Sequence, residues 1–316
     1  MKRRALLAGL LAAPAIARAE PAFSRPIRYI CPFPPGATND NVSRTMSRAL
    51  TPRLGVPVVV ENRAGAGGAV GSRLVAESRP DGLTLLNASA GNLTIAPHLG
   101  PVGYDPLKDF SPIAMAGEAF SLIAVHPDLP VRTLAELIEY GRRHPGELNY
   151  SSAGIGSQGH LRGALLADAG GFEAVHVPYP GSAPAANALA AGDVHFMIDP
   201  IVAPHVEAER ARALASIGTG RWPAFAEVPN LTELGFGADW PSGGWFGLLA
   251  PARTPPEVVA RLNAEFNASL NEPEVDAALR RFGLSPEKLT PDQLRARLVR
   301  DHAATGEALR RLRIAV

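Results

Sequence analysis

Runs rich in β-branched and aromatic residues alternate along this chain with segments whose apolar residues recur at helical spacing. The alternation predicts strands over residues 27–33, 56–61, 83–88, 148–152, 174–178 and 194–198. Amphipathic helices are predicted over residues 41–54, 69–78, 134–143, 160–169 and 183–191, each preceded by a Gly, Ser, Thr or Asp that suits a helix start. Because strands that alternate with helices form largely parallel sheets, we expect an α/β fold whose ligands bind beyond the carboxyl ends of the strands.

Two longer apolar stretches, residues 111–127 and 245–251, predict strands that cross between two halves of the chain. The residues after 251 are expected to be helical. A chain of this length also exceeds what one hydrophobic core usually holds. The prediction is two lobes, each a mainly parallel sheet flanked by helices, with two crossover strands at the hinge. Lobe one comprises residues 23–122 and 245–316, lobe two comprises residues 123–244, and a cleft lies between them.

The first 19 residues have the order of an export signal: basic residues at 2–4, an apolar run over 5–16, and Ala17-Arg18-Ala19. We predict cleavage after Ala19 and a periplasmic location. Arg3 and Arg4 leave the Sec and twin-arginine routes both open. The apolar run is shorter than the roughly 20 residues that a spanning helix needs, so no membrane span is expected.

Composition excludes several classes of function. Loss of the signal removes Lys2, Arg3, Arg4 and Arg18, which leaves 27 of the 31 basic residues against 30 acidic ones, or about −3. No basic stripe interleaved with aromatics is present, so nucleic acid is not an expected partner. The single cysteine, Cys31, rules out an intramolecular disulfide, and it is expected in the core, with a reactive thiol as the alternative.

Catalytic machinery is not apparent in the sequence. The histidines lack metal-ligand spacing, and no paired carboxylates or nucleophilic lysine stand out. We therefore expect a monomer that is not an enzyme and has no catalytic residues, no metal and no cofactor.

The loop over residues 32–40, between the first strand and its helix, is the first candidate ligand site. Its two adjacent prolines make it rigid, and the amides of residues 36–39 are expected to point at an anion near the helix N-terminus. The alternative is a stiff turn that Asp40 caps. The candidate ligand-binding residues here are Phe33, Pro35, Gly36, Ala37, Thr38, Asn39 and Asp40.

A second candidate loop, residues 151–160, contains Gly154, Gly156 and Gly159 in the spacing of a dinucleotide fingerprint. No acidic residue ends the next strand, so a dinucleotide site is not expected. Ser157 lacks a glycine two residues before it, which argues against a hydrolase nucleophile. A carboxylate suits the glycine amides and the helix start equally well, and the candidate residues are Gly154, Gly156, Ser157 and His160. His160 is expected to bond either a ligand oxygen or a backbone group.

Three further positions follow strands and offer small polar groups to the same cleft. They are Ala88 and Ser89, then Tyr179, Gly181 and Ser182, and finally Asp199. Asp199 is expected either to accept a hydrogen bond from the ligand or to cap the helix near Ile201. Five or six contacts from neutral donors suffice for micromolar binding of an organic anion, so no arginine is required.

The order of several motifs resembles the Bug-type extracytoplasmic solute receptors of tripartite tricarboxylate transporters. The motifs are Arg25-Pro26-Ile27, Pro32-Phe33-Pro34-Pro35-Gly36, Val59-Val60-Glu61-Asn62-Arg63, Pro80-Asp81-Gly82, Tyr104-Asp105-Pro106, Lys108-Asp109-Phe110, Ser152-Ala153-Gly154, Val177-Pro178-Tyr179 and Trp245-Phe246-Gly247. The chain departs from the family at Ala37, where a second glycine is usual, and at Pro180, where a lysine or similar polar residue is common.

The resemblance implies a periplasmic-binding-protein-like fold whose two lobes close over a carboxylate for a membrane transporter. It implies that residues 36–39 and 154–160 hold the carboxylate, and that residues 179–182 and Asp199 line the far side. Di- and tricarboxylates, amino acids and aromatic acids remain open as ligands. The alternative function is a periplasmic sensor that presents its liganded form to a membrane signalling protein.

Overall fold

The computed structural model describes residues 23–236 and 244–312, so the predicted export signal and its cleavage site lie outside the described residues. The strands are β1 (Ile27–Cys31), β2 (Val58–Asn62), β3 (Thr84–Ser89), β4 (Phe110–Ala119), β5 (Ser121–Val125), β6 (Leu148–Ser152), β7 (Ala174–Pro178), β8 (Phe196–Asp199), β9 (Arg212–Ile217), β10 (Gly244–Pro251) and β11 (Leu284–Ser285). The α-helices are α1 (Thr38–Leu54), α2 (Ala69–Ala76), α3 (Ala96–Leu99), α4 (Leu134–Arg143), α5 (Gln158–Gly170), α6 (Ser182–Ala191), α7 (Ala203–Glu207), α8 (Pro256–Ser269), α9 (Pro273–Arg281) and α10 (Pro291–Leu312).

The strands form two sheets. The six-stranded sheet has the order β11-β4-β10-β3-β1-β2 and the five-stranded sheet the order β7-β6-β8-β5-β9. We refer to the first sheet with its helices as lobe one and to the second sheet with its helices as lobe two. Within lobe one, β1 runs parallel to β2 and β3, and within lobe two, β6 runs parallel to β7 and β8.

The predicted fold of two α/β lobes flanked by helices is confirmed, and the crossover strands make both sheets mixed rather than mainly parallel. β10 pairs antiparallel with β3 and β4, and β5 pairs antiparallel with β8 and β9. These strands enter each sheet from the other lobe rather than through a right-handed strand-helix-strand unit, which is the connection that enforces parallel pairing. The chain after residue 251 is not entirely helical either, because β11 pairs with the end of β4.

The apolar stretch 111–127 forms two strands, one in each sheet, rather than one continuous strand. The break falls at Phe120, whose amide donates a hydrogen bond to the carbonyl oxygen of Gly283 at 2.7 Å. β9 lies in the second sheet and β10, the next strand, lies in the first. Both predicted crossovers are therefore present, while the exact lobe boundaries at residues 122 and 245 stay a prediction.

Each sheet is covered on both faces, as alternating side chains along its strands show. In β1, Tyr29 packs into the core under α1 and α8, while the adjacent Ile30 packs into the core on the opposite face. In β5, Ile123 and Leu122 divide between the two cores of lobe two in the same way. Two-sided burial accounts for the nearly continuous apolar character of these strands in the sequence.

Helix α10 is bonded to two strands of lobe one, β4 and β10. The indole Nε1 of Trp245 on β10 donates to Asp301 Oδ2 at 2.9 Å, and Arg297 Nε donates to the same oxygen at 3.2 Å. Arg297 Nη2 also donates to Glu118 Oε1 on β4 at 3.0 Å. Leu309 near the end of α10 packs with residues of α5 in lobe two, so α10 contacts both lobes.

Cys31 confirms its predicted place in the core. The thiol is fully buried, and burial raises its pKa to about 11, which keeps it protonated and unreactive at neutral pH. Over residues 23–236 and 244–312, none of the helices has the length and apolar character needed to cross a membrane.

Candidate ligand site between the lobes

Two adjoining cavities lie between lobe one and lobe two, and they share Phe33 and Ala153. The inner cavity has a volume of about 50 Å³ and is lined by Phe33, Thr38, Asn39, Ser89, Gly91, Ala119, Ala153, Ser157, Gln158, Arg162, Ser182, Ile198, Asp199, Pro200 and Phe246. The outer groove has a volume of about 670 Å³ and is lined by residues 32–34, 64–69, 96, 99–102, 153–156 and 178–180. Both lie at the carboxyl ends of parallel strands, the edge at which the α/β pattern places a ligand.

The structure brings many of the sequence-predicted residues together at these cavities. The inner cavity contains Phe33, Thr38, Asn39, Ser89, Ser157, Ser182 and Asp199. The outer groove contains Phe33 again with Gly154, Gly156 and Tyr179. Gly181 lies where the lobes approach each other, because a Cβ at this position would be 3.4 Å from Pro34 Cγ.

In the loop after β1, the two amides predicted to begin the anion site are already bonded within the protein. The Gly36 amide donates to Asp40 Oδ2 at 3.0 Å, and the Ala37 amide donates to the Pro34 carbonyl at 3.3 Å, so neither is available to a ligand. Helix α1 then begins at Thr38 without a capping side chain. Its first-turn amides therefore present the positive end of the helix to the inner cavity.

Asp40 lies inside the first turn of α1 and lines neither cavity, and it closes the preceding loop rather than capping the helix. Its carboxylate accepts hydrogen bonds from the Gly36 amide, from Arg44 Nε at 2.9 Å and from Asn62 Nδ2 at 2.8 Å. Burial acts to raise the pKa of Asp40, but these hydrogen bonds outweigh it and hold the pKa below its usual value. The ionised carboxylate stiffens the loop that positions Thr38.

Six further sequence-predicted residues, in addition to Asp40, do not line either cavity: Pro35, Gly36, Ala37, Ala88, His160 and Gly181. Pro35 and Gly36 are exposed at the outside of their turn, and Ala37 packs against Cys31. Ala88 is buried in the core of lobe one, because neighbouring strand residues face opposite sides and Ser89 takes the cavity side.

His160 supports the second loop instead of facing the ligand. Its Nδ1 accepts a hydrogen bond from the Gly156 amide at 3.4 Å, and its ring stacks on that of His176 with the centroids 4.0 Å apart. Burial lowers the pKa of both imidazoles, in the case of His176 to about 4, with a further contribution from His160. Both rings are therefore neutral at pH 7, and the backbone-bonding alternative for His160 is the one observed.

Ser157 is the N-cap of α5 and also faces the inner cavity. Its Oγ accepts a hydrogen bond from the His160 amide at 3.3 Å. Asp199 also lines the cavity, and its Oδ1 accepts from the Ile201 amide at 3.0 Å, which is the predicted capping role; a hydrogen bond to a ligand stays a prediction. Its Oδ2 accepts from Ser182 Oγ at 3.1 Å, and burial raises the pKa of this carboxyl.

Arg162 is the main cavity residue that sequence reasoning missed. It lies on α5 and is only 6% exposed, and its Nη1 donates to Ser121 Oγ. Burial lowers the pKa of Arg162 to about 10, which leaves it protonated at neutral pH. A signal was present in the sequence, since Arg162 is the one charged residue in the otherwise apolar run 161–167.

Three polar atoms that line the inner cavity are buried without a hydrogen-bond partner among the described residues. They are Thr38 Oγ1 and Asn39 Nδ2 from lobe one and Arg162 Nη2 from lobe two. The hydroxyls of Ser89 and Ser182 donate to Asn92 and Asp199 respectively, so they are already committed. Because a buried polar group without a partner costs roughly 1–3 kcal/mol, a set of three around one cavity indicates a site for an acceptor-rich group.

The outer groove has a different character, since none of its lining residues carries a charged side chain. Gly67 marks the closest approach of the two lobes in this groove. A Cβ at Gly67 would lie 2.9 Å from the carbonyl oxygen of Ile155, and its φ of 62° also favours glycine. The groove is thus narrow at this point and apolar elsewhere.

Comparison with known proteins agrees with this geometry. The family described as "Tripartite tricarboxylate transporter family receptor" matches residues 42–312. Protein BugT of Bordetella pertussis is 37% identical over 289 residues, covering 90% of this chain and 88% of BugT.

Two solved structures are also similar. The periplasmic binding protein BugD has a TM-score of 0.86 at 31% identity and covers 92% of this chain and 99% of its own. R. palustris Rpa4515 with adipate has a TM-score of 0.88 at 32% identity and covers 93% and 99%. The chain therefore belongs to the Bug family of tripartite tricarboxylate transporter receptors, which are periplasmic solute-binding proteins and not enzymes.

Proposed function

We propose that this protein captures a small organic carboxylate in the inner cavity between its lobes and delivers it to the membrane subunits of a tripartite tricarboxylate-type transporter. The observation that carries the proposal is the set of three unpartnered donors, Thr38 Oγ1, Asn39 Nδ2 and Arg162 Nη2, around one cavity. A carboxylate offers about four acceptor positions on two oxygens, so it can satisfy all three donors at once.

The energetics of such a contact favour an anion over a neutral group. Hydrogen bonds to a charged group contribute about 1.5–3 kcal/mol each, and the N-terminus of α1 adds roughly 0.3–1 kcal/mol. Donors come from both lobes, with Thr38 and Asn39 on one side and Arg162 on the other. A bound carboxylate therefore stabilises the closed arrangement of the lobes, which is the form a transporter must recognise.

The outer groove supports an uncharged body for the ligand. It meets the inner cavity at Phe33 and Ala153, so a ligand whose carboxylate lies in the inner cavity extends past these residues. The side chains beyond them offer apolar surface and no counter-charge. We infer that acids with one or two carboxylates bind better than tricarboxylates, whose extra charge would lie against apolar walls. Adipate, found with Rpa4515, belongs to the first group.

Location and assembly complete the proposal. The family is periplasmic, and export with cleavage after Ala19 is the proposed route to that compartment. A monomer is proposed, because the two lobes of one chain supply all residues of the cavity. The sensory alternative finds no specific support in residues 23–236 and 244–312.

A thermal-shift panel tests the proposed function. The mature protein is heated with succinate, adipate, benzoate, glutamate or citrate, and with succinamide, adipamide and benzamide as neutral controls. A ligand at 100 times its Kd contributes about 2.7 kcal/mol. For a chain of this size that corresponds to an increase in Tm of about 5 °C. We expect such a shift from at least one acid and none from its amide; absence of a shift from all five acids, or an equal shift from the amides, would overturn the proposal.

A further inference from the structure

The guanidinium of Arg162 is a buried cation with an unused donor. Arg162 is 6% exposed, its Nη1 is bonded to Ser121 Oγ, and its Nη2 is buried with no partner among the described residues. Burying a charge without compensation costs far more than burying a neutral donor. An arrangement of this kind therefore indicates a group that is compensated when the protein functions.

The acidic side chains near Arg162 do not supply that compensation through direct contact. The charges of Asp199 and Glu118 favour the protonated form of Arg162, but the hydrogen bonds of both go elsewhere. Glu118 pairs with Arg297 at 3.0 Å. Asp199 accepts from Ser182 Oγ and from the Ile201 amide. Within the described part of the chain, Arg162 thus forms no ion pair, its Nη2 has no hydrogen-bond partner, and the residue lines the inner cavity.

We propose that Arg162 is a specificity-determining residue whose Nη2 donates a charge-assisted hydrogen bond to the carboxylate of the ligand, so that the site selects anions over their neutral analogues. This inference rests on the proposed function and names the side chain that gives the cavity its charge selectivity. Among the residues of the inner cavity, Arg162 is the one cation. It faces the same space of about 50 Å³ as Thr38 and Asn39 of lobe one, so one carboxylate contacts both lobes.

The hydrogen bond of Arg162 Nη1 positions the guanidinium for this role. Nη1 is bonded to Ser121, the first residue of β5 after the break at Phe120 between the two sheets. This bond fixes the plane of the guanidinium before the ligand arrives, which reduces the entropy lost on binding. It also ties the ligand contact to the strand by which the chain enters lobe two.

Isothermal titration calorimetry of the mature protein and an R162Q variant tests the inference. The probes are succinate, adipate and benzoate with their primary amides. We expect R162Q to bind the acid that is tightest for the wild type about 10- to 100-fold more weakly, because one charge-assisted hydrogen bond is lost. Affinity for the matching amide is expected to change less than about 3-fold. An R142Q variant is the control, since Arg142 of α4 bonds the Gly170 carbonyl outside both cavities.

The outcomes separate the inference from the function on which it rests. If the wild type binds none of the acids, the proposed function fails. If the wild type binds an acid and R162Q binds it equally well, the role of Arg162 is refuted while the function stands. Removal of an unpaired buried charge is not expected to prevent folding, and an R162M variant gives the same comparison with a neutral side chain of similar length. Equal loss of acid and amide affinity in both variants would also refute the inference, because it would indicate a change of cavity shape.

Discussion

Replacement of Ala153 by leucine is expected to abolish carboxylate binding and to leave the fold intact. Ala153 lines both the inner cavity and the outer groove, so a longer side chain occupies the passage between them. The inner cavity measures only about 50 Å³, so a larger side chain at its entrance leaves little space for a carboxylate. Since Ala153 lies in a turn and is partly exposed, the new side chain does not need space in the core. The measurement is the thermal shift with the acid that gives the largest effect on the wild type.

A V175L variant is the matched control for Ala153→Leu. Val175 is 55% exposed on β7, in the same lobe and outside both cavities, so its variant is expected to respond to the acid as the wild type does. Urea unfolding without ligand should give midpoints within experimental error for the wild type and both variants. An A153L protein that kept more than half of the wild-type shift would show that the ligand does not pass this position.

Replacement of Asp301 by alanine is expected to lower the free energy of unfolding by about 3 kcal/mol. The change removes the acceptor of the buried Trp245 indole and one of the two carboxylates bonded to Arg297. Trp245 is 1% exposed, so its Nε1 has no access to water as a substitute. One lost bond links α10 to β10 and the other orients Arg297 within α10, and unfolding in urea at pH 7 measures their joint contribution.

A D276A variant isolates the effect of burial in this comparison. Asp276 and Arg280 form an ion pair four residues apart on α9, just as Arg297 and Asp301 do on α10, but the carboxylate of Asp276 is 37% exposed. Exposed pairs of this kind contribute about 0.3–0.5 kcal/mol, so D276A is expected to have little effect. Equal losses of stability in the two variants would show that the α10 contacts do not carry the expected energy.

Much of the fold was predictable because its elements are strongly patterned. Apart from the stretch 111–127, which forms two strands, every predicted strand and helix is present with ends within three residues, since periodicity and capping residues act locally. Strand β9 and the two-residue strand β11 were not predicted, and both take their place through pairing with strands that are distant in the sequence. The direction of β5 and β10 depends on which lobe each strand enters, and no local pattern encodes that.

Position at the end of an element made several cavity residues predictable, although their contact with a ligand stays a prediction. Ser89 and Asp199 line the inner cavity as the last residues of β3 and β8, and Thr38 does so as the first residue of α1. Gly36 was misplaced because its amide is used by Asp40, and a hydrogen bond that closes a turn is not visible in composition. Three unpartnered donors at the inner cavity belong to side chains, including a cation that the sequence analysis did not predict.

Arg162 shows most clearly what sequence reasoning lacks. An arginine on a helix is usually exposed to solvent. Only the structure shows that this one is buried and bonded to Ser121 on β5. Its partner Ser121 is 41 residues away in the sequence. The cavity that Arg162 lines is also lined by residues of the other lobe. Contacts of this kind follow from tertiary structure and not from spacing along the chain.

A crystal structure of the protein with the acid that gives the largest thermal shift tests the central claim most directly. The account predicts that the carboxylate lies in the inner cavity, with its oxygens within about 3.2 Å of Thr38 Oγ1, Asn39 Nδ2 and Arg162 Nη2. The rest of the acid should pass Phe33 and Ala153 into the outer groove. Density for the acid at any other surface, with these three donors bonded to protein groups instead, would contradict it.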